Sequence, residues 1–201
     1  MLRRLVALLA AVSSSATFAE DWSGPYIGGA ISYGGGPAYL NQWTIPSLYF
    51  NGFSGDLRAG YLIDAGAFSV GIEALYSPFP IVAHIQYAAV RPWRELSVSN
   101  TFTVRGRIGL PVGRFQPYVA AGISRADFSH TYSEDLPYVA TAPVLGPHIA
   151  AGIDWLATSD FSVGAEVSND FYPQSAMDNG GWVTRWTPNP MRLSIVARYR
   201  F

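Results

Sequence analysis

The sequence predicts an all-β fold, an eight-stranded antiparallel up-and-down β-barrel that spans a membrane. Three observations support this prediction. Apolar and polar residues alternate along eight segments, and short links alternate with long links between them. The chain of 201 residues is also 49% hydrophobic but only 13% charged. Soluble domains carry about 25% charged residues, so this chain has too few charges for a surface that faces only water.

The composition argues against several other classes of protein. The 20 glycines and 14 prolines argue against a helical bundle, because neither residue is tolerated well inside helices. The absence of cysteine excludes disulfide scaffolds, cysteine-ligated zinc and thiol catalysis. The formal net charge of −1 shows no polybasic character, so nucleic acid is not an expected partner.

The N-terminus has the features of a secretory signal peptide. Arg3 and Arg4 precede an apolar run over residues 5–12, and a stretch of small residues ends at Ala19. This arrangement predicts that residues 1–19 are removed on export and that residues 20–201 form the barrel domain. The alternatives are a buried N-terminal helix and a membrane anchor.

The strands are predicted from a period of two residues. In the segment 53–61 the odd positions are apolar and the even positions are polar or small, which is typical of a strand with a different environment on each face. The first strand is glycine-rich, and we expect Ile27, Ile31 and Tyr33 to face outward. In the fourth strand, Val98 and Asn100 are expected outside. The predicted strands are 26–34, 53–61, 67–76, 98–108, 115–124, 148–155, 161–171 and 191–201.

The links between these strands alternate in length. Three are short, at 62–66, 109–114 and 156–160. Alternating short and long links are typical of bacterial outer-membrane barrels, with short periplasmic turns and long extracellular loops. Strands of about ten residues suit a tilted crossing of the bilayer. A soluble β-sandwich or lipocalin-like barrel also alternates, but it does not need this asymmetry. The predicted long links are 34–52, 77–95, 127–143 and 172–190.

Aromatic residues lie at the predicted strand ends, where two girdles are expected at the membrane–water interfaces. The predicted girdle residues are Phe53, Tyr61, Phe68, Tyr76, Phe115, Trp155, Phe161 and Phe171.

The inward positions of the predicted barrel are charged. An eight-stranded lumen is just wide enough for side chains to fill it, so these charges are expected to pair and to plug the barrel. We expect Glu73 to pair with Arg58 or Arg105, and Glu166 with Arg192 or Arg198. An ion-selective pore is the alternative. The predicted lumen charge network is Asp56, Arg58, Glu73, Arg105, Arg107, Asp154, Glu166, Asp170, Arg192, Arg198 and Arg200.

The C-terminus supports the same fold by resemblance. Phe201, with Tyr199 two residues before it and apolar residues at 193, 195 and 197, resembles the assembly signal that the barrel-insertion machinery reads in the periplasm. Together with the segments 21–29, 116–122 and 152–166, it makes the mature chain similar to opacity-type surface proteins and outer-membrane protein A-like barrels. The resemblance implies a Gram-negative outer-membrane location. Since the printed sequence ends at the last predicted strand, no peptidoglycan-binding domain is expected, in contrast to the two-domain members.

Enzymatic activity is not expected, although some eight-stranded outer-membrane barrels modify lipid A. Of the three histidines, His84 and His130 fall in predicted loops and His148 points inward by alternation. The best cluster for nucleophilic chemistry is Ser129, His130, Ser133 and Glu134, in a polar loop that would hold a base poorly. No metal-ligand spacing and no phosphate-binding loop is present, so no cofactor is expected.

The predicted long loops are rich in aromatic residues, which could bind an extracellular ligand or pack over the barrel mouth. We therefore predict a structural or surface-interaction role of adhesin or antigen type, with outer-membrane lipid as a partner. A narrow porin-like channel is the second hypothesis, and a lipid A-modifying enzyme the third. The loop aromatics are Trp43, Tyr49, Phe50, Trp93, Tyr132, Tyr138, Trp182 and Trp186.

Overall fold

The computed structural model describes residues 22–40, 48–85, 94–132, 138–178 and 183–201, in which eleven strands form one antiparallel sheet. The predicted signal peptide lies outside the described residues. Within them, no helix reaches the length and apolarity needed to cross a membrane. The strands are β1 (Gly24–Leu40), β2 (Leu48–Asp64), β3 (Ser69–Ser77), β4 (Ile81–Ile85), β5 (Arg94–Gly109), β6 (Phe115–Tyr132), β7 (Tyr138–Leu156), β8 (Phe161–Asp170), β9 (Ser175–Asp178), β10 (Val183–Pro188) and β11 (Met191–Arg200).

The sheet closes into the predicted eight-stranded barrel. Three barrel positions hold two consecutive strands each: β3 continues into β4, β8 into β9, and β10 into β11. Closure is made by β1, which pairs with β2 on one side and with β11 on the other. The prediction of an all-β, antiparallel, up-and-down barrel is thus confirmed.

The two ends of the barrel differ. One end, which we name the turn end, holds Trp22, Phe201 and the three short connections at 65–68, 110–114 and 157–160. The opposite end, the rim end, is where the strands run toward the undescribed residues 41–47, 86–93, 133–137 and 179–182. The predicted short turns are therefore present, within two or three residues of the expected bounds.

The predicted long links begin too close to the turn end, because the strands continue further toward the rim end than expected. β1, β2, β6 and β7 are 17 to 19 residues long and fill most of the segments 34–52 and 127–143, which were expected to be loops. The polar and apolar alternation fades there, because buried residues such as Ala126 and Phe128 make the interior apolar as well. β7 pairs with β6 through both Pro143 and Pro147, which precede the predicted start of this strand at residue 148.

Among the described residues, the inward and outward faces follow the predicted alternation, except at Val98 and at Arg200 near the end of the last strand. Ile27, Ile31 and Tyr33 are exposed on the outer face, as expected. The expectation that Val98 lies outside was wrong, because this side chain is buried. The register between β5 and β6 shifts between Ser99 and Phe102, and Asn100 has a φ of 48°. Such a bulge adds one residue to a strand and exchanges its two faces.

Candidate functional site

The most distinctive site of the barrel is its charged interior. The inward positions of the strands carry five buried arginines and five buried carboxylates, so their formal charges cancel. We name this set the charged layer. Its members are Asp56, Arg58, Glu73, Arg105, Arg107, Asp154, Glu166, Asp170, Arg192 and Arg198.

The centre of the charged layer is built around Arg105. Its Nε donates to Glu73 Oε2 at 2.7 Å, and its Nη2 donates to Glu166 Oε2 at 2.5 Å. Glu166 also accepts a hydrogen bond of 3.1 Å from Arg58 Nη1 and one of 2.7 Å from the Tyr118 hydroxyl. One guanidinium therefore joins carboxylates from two different strands, which its planar fork allows.

The expected partners of the two glutamates were right for one and wrong for the other. Glu73 pairs with Arg105, its direct cross-strand neighbour, as one of the two alternatives expected. Glu166 pairs with Arg58 and Arg105 rather than with Arg192 or Arg198. The error has a physical reason: long side chains reach across a narrow lumen, whereas the expectation considered only adjacent strands.

Toward the turn end, the charged layer continues through Arg198 and Arg107. Arg198 Nη1 donates to Asp154 Oδ1 at 2.6 Å, and its Nε lies 3.3 Å from Glu73 Oε1. Arg107 Nη2 donates to Asp154 Oδ2 at 2.5 Å and to Gln116 Oε1 at 2.6 Å. Asp154 thereby bridges two arginines, and all the charges described so far belong to one connected network.

Toward the rim end, the network runs through a histidine. His148 Nδ1 lies 2.7 Å from Asp170 Oδ1, and its Nε2 lies 3.1 Å from Arg105 Nη1. Because arginine can only donate, Nε2 acts as the acceptor and the ring proton is on Nδ1, from which it is donated to Asp170. Asp170 also accepts a hydrogen bond from Arg192 Nη2.

The predicted network omitted three neutral residues that belong to it, and it included Arg200, which does not. Gln116, Tyr118 and His148 are buried and bonded to the charged layer. All three lie at inward positions of β6 and β7, and the alternation placed His148 inward, but only charged residues were considered as members of the network. Arg200 was expected inside, but its guanidinium instead donates to the carbonyl of Ser159 in a turn at the barrel end.

Closer to the rim end, the lumen is filled by apolar side chains. Phe128 packs edge-on against the ring of Tyr172 with 5.1 Å between the ring centroids. The Tyr172 hydroxyl lies 2.9 Å from Ser124 Oγ, which anchors the ring from the side of the charged layer. We name this second set the apolar layer. Its members are Ile81, Val98, Ala126, Phe128 and Tyr172, all of them buried.

Some polar atoms of the described interior have no hydrogen-bond partner. They include the Tyr26 hydroxyl and the Nε and Nη1 atoms of Arg107, all near the turn end. The Arg107 guanidinium stacks on the Tyr118 ring at 3.7 Å. Buried polar groups in proteins are nearly always hydrogen-bonded, so these atoms are exceptions within the described interior.

The outer face carries the predicted girdle and assembly residues. The eight predicted girdle side chains, from Phe53 to Phe171, are all exposed on the outer face. Tyr199 and Phe201 are also exposed, their rings in edge contact at 5.2 Å, and Phe201 N–H donates to the carbonyl of Pro25 at 3.0 Å. β2 runs past Phe53 to Leu48, so the wall extends beyond this girdle position toward the rim.

The residues expected in long loops are only partly loop residues. Five of the eight loop aromatics lie on strands instead, because the strands extend further than expected; they are Tyr49, Phe50, Tyr132, Tyr138 and Trp186, whereas Trp43, Trp93 and Trp182 lie outside the described residues. Ser129 Oγ lies 3.1 Å from Thr141 Oγ1 across the β6–β7 pair. The side chains of His84, His130, Ser133 and Glu134 are not among those described, and neither are those of the predicted loop aromatics. Among the described residues, no group of three histidines, cysteines or carboxylates could hold a metal ion.

The chain belongs to the outer membrane protein beta-barrel domain family, whose model matches residues 5–201. Membership in this family places the protein in the bacterial outer membrane. No curated protein sequence matches the chain significantly.

Solved structures share the fold at low sequence identity. OprG of Pseudomonas aeruginosa is 13% identical with a TM-score of 0.59, covering 89% of this chain and 96% of that chain. Neisserial surface protein A is 14% identical with a TM-score of 0.55, covering 89% and 98%. Ail, the attachment invasion locus protein of Yersinia pestis, is 11% identical with a TM-score of 0.52, covering 89% and 99%. At these identities the likeness shows the fold alone.

Proposed function

We propose that the protein is a plugged outer-membrane barrel with a structural or surface-interaction role at the cell surface. The observation that supports this most directly is the ion-pair network, which crosses the lumen instead of lining it. Arg58 on β2 reaches Glu166 on β8, and Arg198 on β11 reaches Glu73 on β3. Neither pair of strands is adjacent in the sheet.

Cross-lumen pairing blocks passage for two reasons. The side chains occupy the axis of an eight-stranded barrel, whose lumen is only wide enough for them. Each charge is also held by a partner of opposite sign, so a passing ion would have to replace an existing bond. Opening one path would leave buried charges unpaired, at a cost of several kcal/mol.

The apolar layer supplies a second closure nearer the rim. Phe128, Val98 and Ile81 are all buried inside the barrel. An apolar constriction disfavours water and ions even where space remains, since nothing there replaces their hydration. The proposed plug thus combines a layer of ion pairs with a layer of hydrocarbon.

A narrow channel is the second candidate function. It is favoured by the unpartnered Tyr26 hydroxyl and Arg107 nitrogens, which water could reach from the turn end. Flux assays on liposomes containing the purified barrel discriminate the two candidates. The plug predicts that an ion-sensitive dye trapped inside the liposomes responds to added ions no faster than in empty liposomes, whereas an ion-selective response would establish the channel.

The surface role is assigned to the rim. We propose that the short turns face the periplasm and the rim faces outward, where an extracellular ligand could bind its aromatic residues. One protein of similar fold is described as an attachment invasion protein and was solved with a heparin analogue, which gives precedent for surface binding by this architecture. Protease applied to intact cells is expected to cut only near the rim; cleavage within residues 65–68 or 157–160 would contradict the orientation.

Export and assembly complete the proposal. Residues 1–19 act as the signal peptide, and the exposed Tyr199 and Phe201 present the last strand to the barrel-assembly machinery. No catalytic chemistry is assigned to the protein. Mass analysis of lipid A from cells with and without the protein tests this last point, and a new lipid A species that requires the protein would overturn it.

A further inference from the structure

The barrel wall is broken on one side of β2. The β2–β3 ladder ends at the pair Leu57↔Tyr76, and β4 pairs with β2 only at Asn51↔Val82. Residues 52–56 of β2 therefore have no ladder partner on that side among the described strand pairs. The break coincides with Pro78 and Pro80, which have no N–H group to donate to a ladder.

A side chain partly closes this break. Ser77 Oγ donates to the carbonyl of Gly55 at 2.8 Å and lies 3.0 Å from Ser54 Oγ. The Phe79 ring lies beside β2 on the outer face of the barrel and is exposed. A Cβ built on Gly55 would lie 3.7 Å from Phe79 Cε2 and 3.0 Å from the Ala30 carbonyl. A side chain at position 55 would therefore meet this ring at an ordinary van der Waals distance, and its tight contact would be with the backbone of β1.

The break produces a groove of about 910 Å³ on the outer face of the barrel. Small residues of three strands line it, Gly29 on β1, Gly55 on β2 and Ala197 on β11, beside larger apolar side chains. Ser54 and Asp56, which belong to the same unpaired part of β2, also border the groove. The larger apolar side chains are Ile31, Phe53, Leu57, Phe79 and Ile195.

We propose that this groove binds one acyl chain of a membrane lipid. The groove is continuous with the exposed apolar face of the barrel, and in an outer-membrane barrel that face is the lipid interface. Phe79 and the Ser77 hydroxyl cover the free edge of β2, so an added protein strand would find few backbone groups to pair with. An alkyl chain needs no such partners and can follow the curved apolar surface between Ile31 and Phe79.

The proposal does not depend on whether the lumen is plugged. It is tested with the purified barrel in phosphatidylcholine liposomes that contain a phospholipid with a photoreactive diazirine in one acyl chain. After illumination, the cross-linked residues are mapped by peptide mass spectrometry. We expect cross-links to be enriched on residues 53–57 and 78–79 relative to the opposite wall of the barrel.

Two matched substitutions make the test specific. Ala197→Leu places a larger side chain in the groove, and Ala121→Leu makes the same change at an exposed position of β6 on the other side of the barrel. Ala197→Leu is expected to abolish the enrichment, and Ala121→Leu to leave it unchanged. Phe79→Ala removes one flank without touching a ladder bond, and it is expected to reduce the enrichment even if Ala197→Leu does not fold.

Three outcomes would overturn the proposal. The first is uniform cross-linking around the barrel in the unmodified protein, which would mean that the lipid is ordinary annular lipid. The second is enrichment that survives in both folded Ala197→Leu and Phe79→Ala. The third is efficient formation of a disulfide-linked dimer by Leu57→Cys, on this otherwise cysteine-free chain, in place of lipid labelling, which would identify a second copy as the occupant.

Discussion

The charged layer and the apolar layer fill the same lumen at two heights by different means. Around Arg105, each buried charge is held by specific partners on other strands, so the layer is sensitive to the identity of single atoms. Around Phe128, the contacts are non-directional and the layer is sensitive to volume. Strands that share one alternation of inward and outward residues can therefore enclose two kinds of interior, and the two respond differently to mutation.

The largest effect is expected in the charged layer. Glu73→Gln keeps the shape of the side chain but removes the charge that Arg105 and Arg198 share. Leaving buried arginines without their counter-charge should reduce the free energy of unfolding by about 3–5 kcal/mol. Equilibrium urea unfolding in detergent micelles measures this, and Glu166→Gln is expected to behave alike because it also holds two arginines.

The matched control for these variants is Asp160→Asn, which removes one negative charge from an exposed turn. It should change stability by less than about 0.5 kcal/mol. If Glu73→Gln is as mild as this control, then water screens the interior charges and the charged layer is not dry.

The apolar layer should respond to lost volume. Phe128→Ala removes a fully buried ring and its contact with Tyr172, which is expected to cost about 3 kcal/mol. Phe128→Leu, which keeps most of the volume, should recover a large part of that loss in the same unfolding assay. Equal destabilisation by both variants would show that the ring's edge contact, rather than filling of the lumen, is what matters.

A smaller effect is expected for a neutral polar contact in the same lumen. Ser194 Oγ and Ser32 Oγ lie 2.8 Å apart, and both side chains are buried. Ser194→Ala should cost about 1 kcal/mol, the usual net value of one hydrogen bond. A loss as large as that of Glu73→Gln would remove the distinction between charged and neutral contacts on which the comparison of the layers rests.

The smallest effect on stability is expected outside the lumen, at the C-terminus. Deleting Phe201 removes an exposed ring and one backbone hydrogen bond to Pro25, which should cost less than about 0.5 kcal/mol. In cells, however, the deletion should leave the protein unassembled or degraded, while refolding into micelles still succeeds. Normal amounts of inserted barrel in cell-envelope fractions would refute the assembly role of this residue.

The sequence predicted the wall well because alternation is a local property. The side chains of Ile27, Ile31 and Tyr33 face outward as expected, since facing depends only on strand parity. Parity failed at Val98 because the bulge at Asn100 inserts one residue, and no apolar pattern announces such an insertion. The strand ends near the rim were missed for a similar reason, since apolar residues on the inner face weaken the alternation.

The interior partners were harder to predict because they are not local. Glu73 and Arg105 face each other directly in the β3–β5 register, so adjacency suggested that pair. Glu166 reaches Arg58 across the lumen, and this choice depends on side-chain length and barrel width rather than on neighbouring strands. Gln116 and His148 were missed because a search for charges overlooks the neutral groups that satisfy them.

Closure of the lumen is tested most directly by single-channel recording in planar lipid bilayers. The unmodified barrel is compared with the double variant Glu73→Ala/Arg105→Ala, which removes a carboxylate and its central arginine together and so keeps the net charge unchanged. The account predicts no resolvable current for the unmodified barrel. Channel openings are expected only in the double variant, or in the triple variant that also carries Phe128→Ala. Stable ion-selective openings of the unmodified barrel would contradict it.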